Sequence, residues 1–161
     1  MAIEKVVSGG QTGVDRAALD AARACTIPQG GWCPNGRRAE DGVIAARDPL
    51  TQAPSQACQE RPEWNVRDSD GTLILTDDDE IAGGTAVAHR AARRMGKPVV
   101  HARTSDAVPV EMIRAWCEDN DIRVLNVAGP RESEAEGVYD RACAVLEQFF
   151  KVETAEMVEQ Q

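Results

Sequence analysis

The chain has 161 residues, 42% of them hydrophobic and 28% charged, and its formal net charge is −9. This length supports one domain with a substantial core, and so acidic a chain is not expected to bind nucleic acid through bulk charge. No apolar run approaches the roughly 20 residues that span a bilayer, and the first residues carry no secretory signal. The sequence therefore predicts a cytoplasmic protein with neither a membrane nor nucleic acid as its partner.

Strand and helix signals alternate along the chain. In the first half they predict strands at 3–8 and from residue 27, a helix over 14–25 between them, and a further short helix at 55–60. The second half is more regular and predicts, in order, strand 71–76, helix 85–95, strand 98–102, helix 110–120, strand 122–129 and helix 137–150.

Apolar spacing assigns an inward face to three of these helices. The first helix is predicted to bury small residues, which let it lie close to a sheet: Val14, Ala17, Ala18, Ala21, Ala22 and Cys25. The helix over 110–120 is predicted to turn Met112, Ala115 and Trp116 inward. The last helix is predicted to bury Val138, Ala142, Val145, Leu146 and Phe149.

This alternation predicts an α/β protein with an open, mostly parallel sheet and helices on both faces. Residues 1–150 are expected to form a single ligand-binding domain, followed by a polar C-terminal tail over 151–161. In such a sheet, ligands bind beyond the carboxyl ends of the strands, near the point where the strand order reverses.

Glycine-rich segments follow three of the predicted strands: 9–13, 83–85 and 128–131. Glycine allows positive φ and close approach of backbone N–H groups to a ligand, and a helix start attracts anions. A tight turn is the alternative for any one loop, but two helix starts side by side would form a phosphate-sized cradle. The spacing matches neither G-x-G-x-x-G nor G-x-x-x-x-G-K-[ST], so no ATPase is predicted.

Charged residues near these loops have two interpretations each. Asp15 either complements the helix dipole or binds a ribose, a pterin or a metal, and Arg16 either is solvated or reaches the bound anion. Arg37 lies in a loop that is either solvated or overhangs the site, where an arginine would suit a phosphate. The four carboxylates of 77–80 are expected to form a solvated loop, with Mg²⁺ binding as the alternative.

Five cysteines occur without a C-x-x-C pair, which predicts reduced packing thiols rather than disulfides or a zinc site. Cys33 is the one candidate for a metal ligand among Cys25, Cys33, Cys58, Cys117 and Cys143. No Ser/His/Asp order, H-E-x-x-H pattern or other catalytic constellation stands out.

Five segments, SGGQTGVDRAALDAA, GGWCPNGRRAEDG, NVRDSDGTLIL, GGT…GKP and LNVAGPRES, together resemble the molybdenum carrier family, a circularly permuted YpsA-like branch of the SLOG superfamily. The resemblance covers about residues 5–150. It implies a Rossmann-like fold, a homodimer or homotetramer, and a pocket at the glycine-rich strand ends. It also implies binding of molybdenum cofactor, a pterin with a phosphate and a dithiolene, with a molybdoenzyme as a candidate acceptor.

The loop argument and the resemblance together define the candidate binding residues. Backbone amides would hold the phosphate, Arg16 and Arg131 would neutralise it, and Asp15 or Asn126 would orient the polar rings. The full set is Ser8, Gly9, Gly10, Gln11, Thr12, Gly13, Asp15, Arg16, Arg37, Gly83, Gly84, Thr85, Asn126, Gly129, Pro130 and Arg131.

The sequence departs from the family between residues 47 and 63, where Asp48-Pro49-Leu50 and Arg61-Pro62 replace the usual aromatic-Pro-Leu and Arg-Thr, so no site residue is assigned there. Two rival functions remain open. One is a nucleoside-phosphate hydrolase with Asp15 or Asp70 as its acid/base, although AGGTAVAHR lacks the glutamate of the related cytokinin-nucleotide hydrolases. The other is a sensor of a nucleotide or an ADP-ribose derivative.

Overall fold

The computed structural model describes residues 3–54, 61–106 and 109–159, with side chains in the last helix described as far as residue 155. Its strands are β1 Lys5–Val7, β2 Gln29–Gly30, β3 Trp32–Cys33, β4 Arg38–Ala39, β5 Gly42–Val43, β6 Thr51–Gln52, β7 Gly71–Thr76, β8 Val99–Arg103 and β9 Val124–Ala128. Its helices are α1 Val14–Ala24, α2 Arg61–Arg67, α3 Gly83–Arg94, α4 Pro109–Asp119 and α5 Val138–Glu159.

The central sheet has five parallel strands in the order β2-β1-β9-β7-β8. From β1 the chain moves outward to β2, and from β7 it moves outward to β8 on the opposite side. Strand β9 returns to the middle, between β1 and β7. The carboxyl ends of β1, β9 and β7 are therefore neighbours at the reversal point, which is where ligands bind in folds of this kind.

Helices cover both faces of the sheet, as predicted. On one face α1, α4 and α5 pack over a core that includes Leu73 and Leu75 of β7. On the other face α2 and α3 pack against Ile74 of the same strand. Because adjacent residues of a strand point to opposite faces, a strand covered on both sides buries both sets of side chains, and all six residues of β7 are buried, including Thr72 and Thr76. The fold is α/β and Rossmann-like.

The predicted inward faces of α1 and α5 are confirmed, except that Cys25 is only half-buried. The face predicted for α4 is wrong for Met112 and Ala115, which are exposed, whereas Trp116 is half-buried and packs against the core. The buried residues of α4 are Val110, Ile113 and Cys117. In α4 two stripes of apolar residues lie side by side, so helical period alone did not decide between them.

Two boundaries of the predicted helices differ from expectation by more than one residue. Helix α3 begins at Gly83, two residues before the predicted start. Helix α5 continues past Phe150 as far as Glu159, through most of the segment predicted as a polar tail. Within the extension, Glu153 is almost fully buried. The short helix predicted at 55–60 and Cys58 lie outside the described residues.

The described part of the segment between β2 and α2, residues 31–54, is stabilised by short strands and by polar contacts rather than by a long element. Strands β4 and β5 form a hairpin, and β3 pairs with β6. Arg37 donates to the carbonyl groups of Ala45, Asp48 and Leu50, at 2.8–3.0 Å. Nowhere in the described parts of the chain is a helix long and apolar enough to cross a membrane.

Candidate functional site

A cavity of about 260 Å³ lies at the carboxyl ends of β1, β7 and β9. We call it the strand-end cavity. It is lined by Gly9, Gln11, Asp15, Arg61, Pro62, Asn65, Gly83, Gly84, Thr85, Ala88, Asn126, Val127, Ala128, Gly129, Arg131 and Glu134. The lining comes from both faces of the sheet, because the loop after β1 leads to α1 and the loop after β7 leads to α3.

The structure brings many of the predicted residues together and leaves others aside. Those that line the strand-end cavity are Gly9, Gln11, Asp15, Gly83, Gly84, Thr85, Asn126, Gly129 and Arg131. Those that do not line it are Ser8, Gly10, Thr12, Gly13, Arg16, Arg37 and Pro130. The three glycine-rich segments do meet at one edge of the sheet, as their positions after parallel strands require.

The start of α3 opens directly into this cavity. The first N–H groups of any helix have no acceptor within the helix, and here the N-cap Ala82 supplies no side-chain acceptor. The first turn of α3 contains no acidic residue. Thr85 is 8% exposed and lines the cavity, and no hydrogen bond of its side chain occurs within the described residues. These features suit an anion.

The start of α1 is built differently and corrects the expectation of two equivalent helix starts. The Val14 N–H donates to the Pro130 carbonyl at 3.2 Å, so the β9–α5 loop covers this end of the helix. Gly13 has φ +77°, and a Cβ there would lie 2.3 Å from the same carbonyl oxygen. Glycine at position 13 thus serves close packing of two loops rather than approach to a ligand.

Ser8 and Gly10 also hold the loop rather than face the cavity. The Ser8 hydroxyl donates to the Asp15 carbonyl at 3.0 Å and accepts the Gly10 N–H at 3.3 Å. Gly10 has φ +77°, and a Cβ there would lie 2.4 Å from a methyl carbon of Leu50. Both residues support the shape of the loop on which Gly9 and Gln11 reach the cavity.

Asp15 turns its carboxylate into the strand-end cavity. One carboxylate oxygen accepts the Gln11 N–H at 3.3 Å. Burial raises the pKa of Asp15 to about 7, and the nearby positive charge of Arg61 opposes that rise. Near neutral pH this carboxyl group is therefore divided between its protonated and ionised forms. It can donate a hydrogen bond to a ligand in the first form and accept one from a ligand in the second.

Arg61 and Asn65 are site residues that sequence reasoning missed. They stand one turn apart on α2, and both line the cavity. The Nε atom of Arg61 is buried and has no hydrogen-bond partner in the described parts of the chain. Asn65 accepts the Trp32 N–H at 2.7 Å and donates to the Trp32 carbonyl at 3.2 Å. The i,i+4 spacing of Arg61 and Asn65 was the available signal, but α2 itself was not predicted.

The opposite wall carries Asn126 and Arg131. Asn126 is 2% exposed, and its side-chain amide donates to the Thr72 hydroxyl at 3.2 Å. Arg131 stands at the mouth, where its Nε donates to Glu134 at 3.0 Å. The cavity therefore combines a buried amide, a titrating carboxyl group and two arginines with the free end of a helix.

Arg16 faces a second, more open cavity on the outer side of the glycine loop. Its guanidinium pairs with Asp41 at 2.9 Å and donates to the Gly10 carbonyl at 3.1 Å. Thr12 and Gly13 line the same outer cavity. Arg16 therefore does not point toward the start of α3, and Arg61 takes the position that the sequence assigned to Arg16.

Other candidate residues lie away from the strand-end cavity. Asp70 accepts the Arg123 and Val124 N–H groups, at 3.0 and 2.8 Å, before β7 begins and so at the opposite edge of the sheet. It cannot serve as acid or base in this cavity. Arg37 binds loop carbonyls instead, and Cys33 is fully buried among apolar side chains. Within the described residues no group of three or more His, Cys, Asp or Glu is arranged to hold a metal ion.

Asp77 and its neighbours line a third cavity that shares Thr85 and Glu134 with the first. Asp77 is half-buried, and residues 78–80 are exposed, as expected of a solvated loop. Asp77 pairs with Arg141 and accepts from the Thr104 hydroxyl at 2.7 Å, so its charge is neutralised within the protein. The Arg141 hydrogen bond and the Thr104 hydroxyl hold the pKa of Asp77 below its ordinary value, although burial opposes them.

A sequence comparison and a structure comparison with known proteins both find relatives of this chain. The model of the circularly permutated YpsA SLOG family matches residues 6–150. The crystal structure of a "Putative molybdenum carrier protein" from Syntrophus aciditrophicus SB is similar to this chain with a TM-score of 0.87 and 39% identity, over 92% of this chain and 95% of the other. No curated protein matches. The chain belongs to the circularly permuted YpsA family of SLOG proteins.

Proposed function

We propose that this protein binds molybdenum cofactor, a phosphate-bearing pterin, in the strand-end cavity and acts as its carrier. One observation carries the proposal most directly: the uncapped start of α3 and the buried, unpartnered Nε of Arg61 line the same cavity. Each of these groups attracts an anion, and the Arg61 Nε donates to no acceptor among the described residues.

The two ends of the cavity suit two parts of such a ligand. The N–H groups of Gly83 and Gly84, with the Thr85 hydroxyl, would bind the phosphate at the start of α3. Asp15 and Asn126 lie deeper and offer acceptors and a donor, which fit the amino and carbonyl groups of a pterin ring. Because Asp15 exchanges its proton near neutral pH, it can adjust to either kind of ring atom.

The relative of known structure supports the carrier part of the proposal. It is 39% identical and is described as a molybdenum carrier. A carrier must also release its ligand, so a molybdoenzyme that accepts the cofactor is part of the same proposal. We expect the protein to work as a homodimer or homotetramer.

Asp15 favours one second candidate, a nucleoside-phosphate hydrolase that uses the same cavity. A carboxyl group with a pKa of about 7 in a cleft can act as a general acid or base. Turnover of nucleoside monophosphates, abolished in Asp15→Asn, would favour this activity over the carrier function.

Native mass spectrometry of the freshly purified protein tests the proposal. Molybdenum cofactor, nucleoside monophosphates and ADP-ribose are added separately, and the spectra also give the oligomeric mass. We expect a pterin adduct in the wild type and at least a tenfold loss of affinity in Gly84→Asp, which places a carboxylate at the start of α3. A Cβ at position 84 meets no atom within 4 Å, and an acid in a first turn favours the helix, so this variant should fold.

The matched control is Gln148→Glu, which adds the same charge on the exposed side of α5. It should bind like the wild type. Binding of a nucleotide or ADP-ribose without any pterin adduct would contradict the carrier proposal, and the sensor and hydrolase functions would then be separated by assaying for product.

A further inference from the structure

An acidic side chain lies at the mouth of the strand-end cavity, between its two anion-attracting walls. One Glu134 oxygen accepts the backbone N–H and the Nε of Arg131, at 3.2 and 3.0 Å. The other oxygen lies 3.7 Å from the point where a Cβ of residue 83 would be. The Glu134 carboxylate therefore pairs with Arg131 and lies beside the first residue of α3.

The conformation of the β9–α5 loop keeps this carboxylate in place. The N–H groups of Glu134 and Ala135 both donate to the Arg131 carbonyl, at 3.0 and 3.2 Å, so the loop forms a tight turn. The turn brings Glu134 over the arginine three residues before it. Because the Arg131–Glu134 contact is formed within one short loop, it can open without a movement of the sheet or of a helix.

We propose that Glu134 is an affinity-determining residue that occupies the anion position in the free protein and is displaced by the phosphate of an incoming ligand. The inference rests on the proposed function, since it concerns the same cavity. It adds that the protein carries its own competitor for the ligand anion, in addition to the groups that bind it.

Electrostatics explains why the carboxylate and the phosphate exclude each other. Both are anions, and both are attracted to Arg131 and to the start of α3. Their mutual repulsion prevents them from sharing these groups. The side chains of Arg131 and Glu134 are 50% and 38% exposed, and an ion pair so exposed is weak, so a phosphate can displace it. When the ligand leaves, the same pair forms again, which favours release over tight retention.

The test compares three proteins: the wild type, Glu134→Gln and Glu136→Gln. Glu136 is an exposed acid two residues further along the same loop, so its substitution removes the same charge and leaves the Arg131–Glu134 ion pair unchanged. Isothermal titration calorimetry with inorganic phosphate measures affinity. We expect Glu134→Gln to bind phosphate roughly threefold to fivefold more tightly than Glu136→Gln. Glu134 lines the cavity, and substitution of a residue that only supports the site would weaken binding. Tighter binding by Glu134→Gln is therefore the result that identifies Glu134 as a competitor of the anion.

Amide NMR locates the effect in the same samples. Phosphate should shift the N–H resonances of Gly83 and Gly84, and Glu134→Gln should shift them even without phosphate. Equal affinity in the two variants, weaker binding by Glu134→Gln, tighter binding without shifts at these two glycines, or no phosphate binding by any of the proteins would each overturn the inference.

Adding molybdenum cofactor to the same three proteins separates this inference from the proposed function. If the cofactor binds and the two variants are equivalent for both probes, the carrier function holds and the role of Glu134 is wrong. If Glu134→Gln tightens phosphate binding with shifts at Gly83 and Gly84 but no protein binds the cofactor, the competitor role holds and the carrier function is wrong.

Discussion

Two helix starts, those of α1 and α3, carry similar glycine-rich sequences and do different things. At α1 the backbone is covered, because the Val14 N–H is bound by the Pro130 carbonyl and Gly13 packs against the same group. At α3 the backbone is open, and a Cβ on Gly84 would meet no atom within 4 Å. A glycine before a helix therefore signals either a close contact between loops or an accessible anion site, and the neighbouring loop decides which.

The two helix starts also differ in the charge of their first turns. The first turn of α1 contains Asp15, whose carboxylate lies in the cavity, whereas the first turn of α3 contains no acid. The cavity is thus asymmetric, with an open helix end on one side and a titrating carboxyl group beside Arg61 on the other. This asymmetry matches a ligand with an anionic end and a polar ring better than a ligand with two equivalent anions.

The largest expected effect comes from the carboxyl group at the α1 side. The pKa of Asp15 is raised by burial from 3.8 to about 7, with Arg61 opposing the rise. Between these values the folded protein keeps a proton that the unfolded chain has lost. The stabilisation is therefore complete below about pH 4 and is lost as pH rises toward 7. Asp15→Asn removes this dependence and should exceed the wild type in free energy of unfolding by up to about 4 kcal/mol at pH 8.

Urea unfolding of both proteins at a series of pH values between 4 and 8 measures this difference. Other titrating groups are common to both proteins, so the difference between the two curves isolates Asp15. Curves that run parallel across the whole interval would show that Asp15 titrates in its ordinary range, and the asymmetry of the cavity would then rest on Arg61 and α3 alone.

The next effect separates the packed helix start from the open one. Gly13→Ala forces a side chain into φ +77° and against the Pro130 carbonyl, so we expect a loss of about 3 kcal/mol in free energy of unfolding. Gly84→Ala meets open space at an ordinary φ, so it should leave the free energy of unfolding unchanged or raise it by up to about 1 kcal/mol. Thermal and urea unfolding measure both values, and equal losses would contradict the distinction between the two starts.

The smallest of the three expected effects concerns Arg61, the arginine that lies beside Asp15 in the strand-end cavity. Arg61→Gln removes a guanidinium whose Nε has no hydrogen-bond partner among the described residues. Because a ligand anion would lose this charged donor, we expect inorganic phosphate or molybdenum cofactor to bind about tenfold to hundredfold more weakly. The pKa of Asp15 should also rise, since Arg61 lowers it. Calorimetry and carboxyl-carbon NMR report the two effects.

Arg67→Gln is the control for Arg61→Gln, because Arg67 lies on the same helix but is exposed and pairs with Asp68 at the surface. It should leave both the affinity and the titration of Asp15 unchanged. If the two arginine variants lost affinity equally, a general charge effect would explain the loss, and Arg61 would have no specific place in the site.

The sequence by itself determined the α/β class, the parallel sheet covered on both faces, and the edge at which the glycine-rich loops meet. These features follow from local periodicity and from the direction of parallel strands, which the order of the chain already contains. The inward faces of α1 and α5 followed for the same reason. The motif resemblance identified the family, which the family model and the related crystal structure confirmed.

Only the tertiary structure decided which side chains face the strand-end cavity. Arg16 and Asp15 are adjacent in sequence, yet one points to the outer cavity and the other to the inner one, because successive residues of a helix diverge by about 100°. Arg61 and Glu134 reach the site from α2 and from the β9–α5 loop, far from the glycines in sequence. Their positions depend on the packing of separate elements at the reversal of strand order, and local sequence patterns do not contain that information.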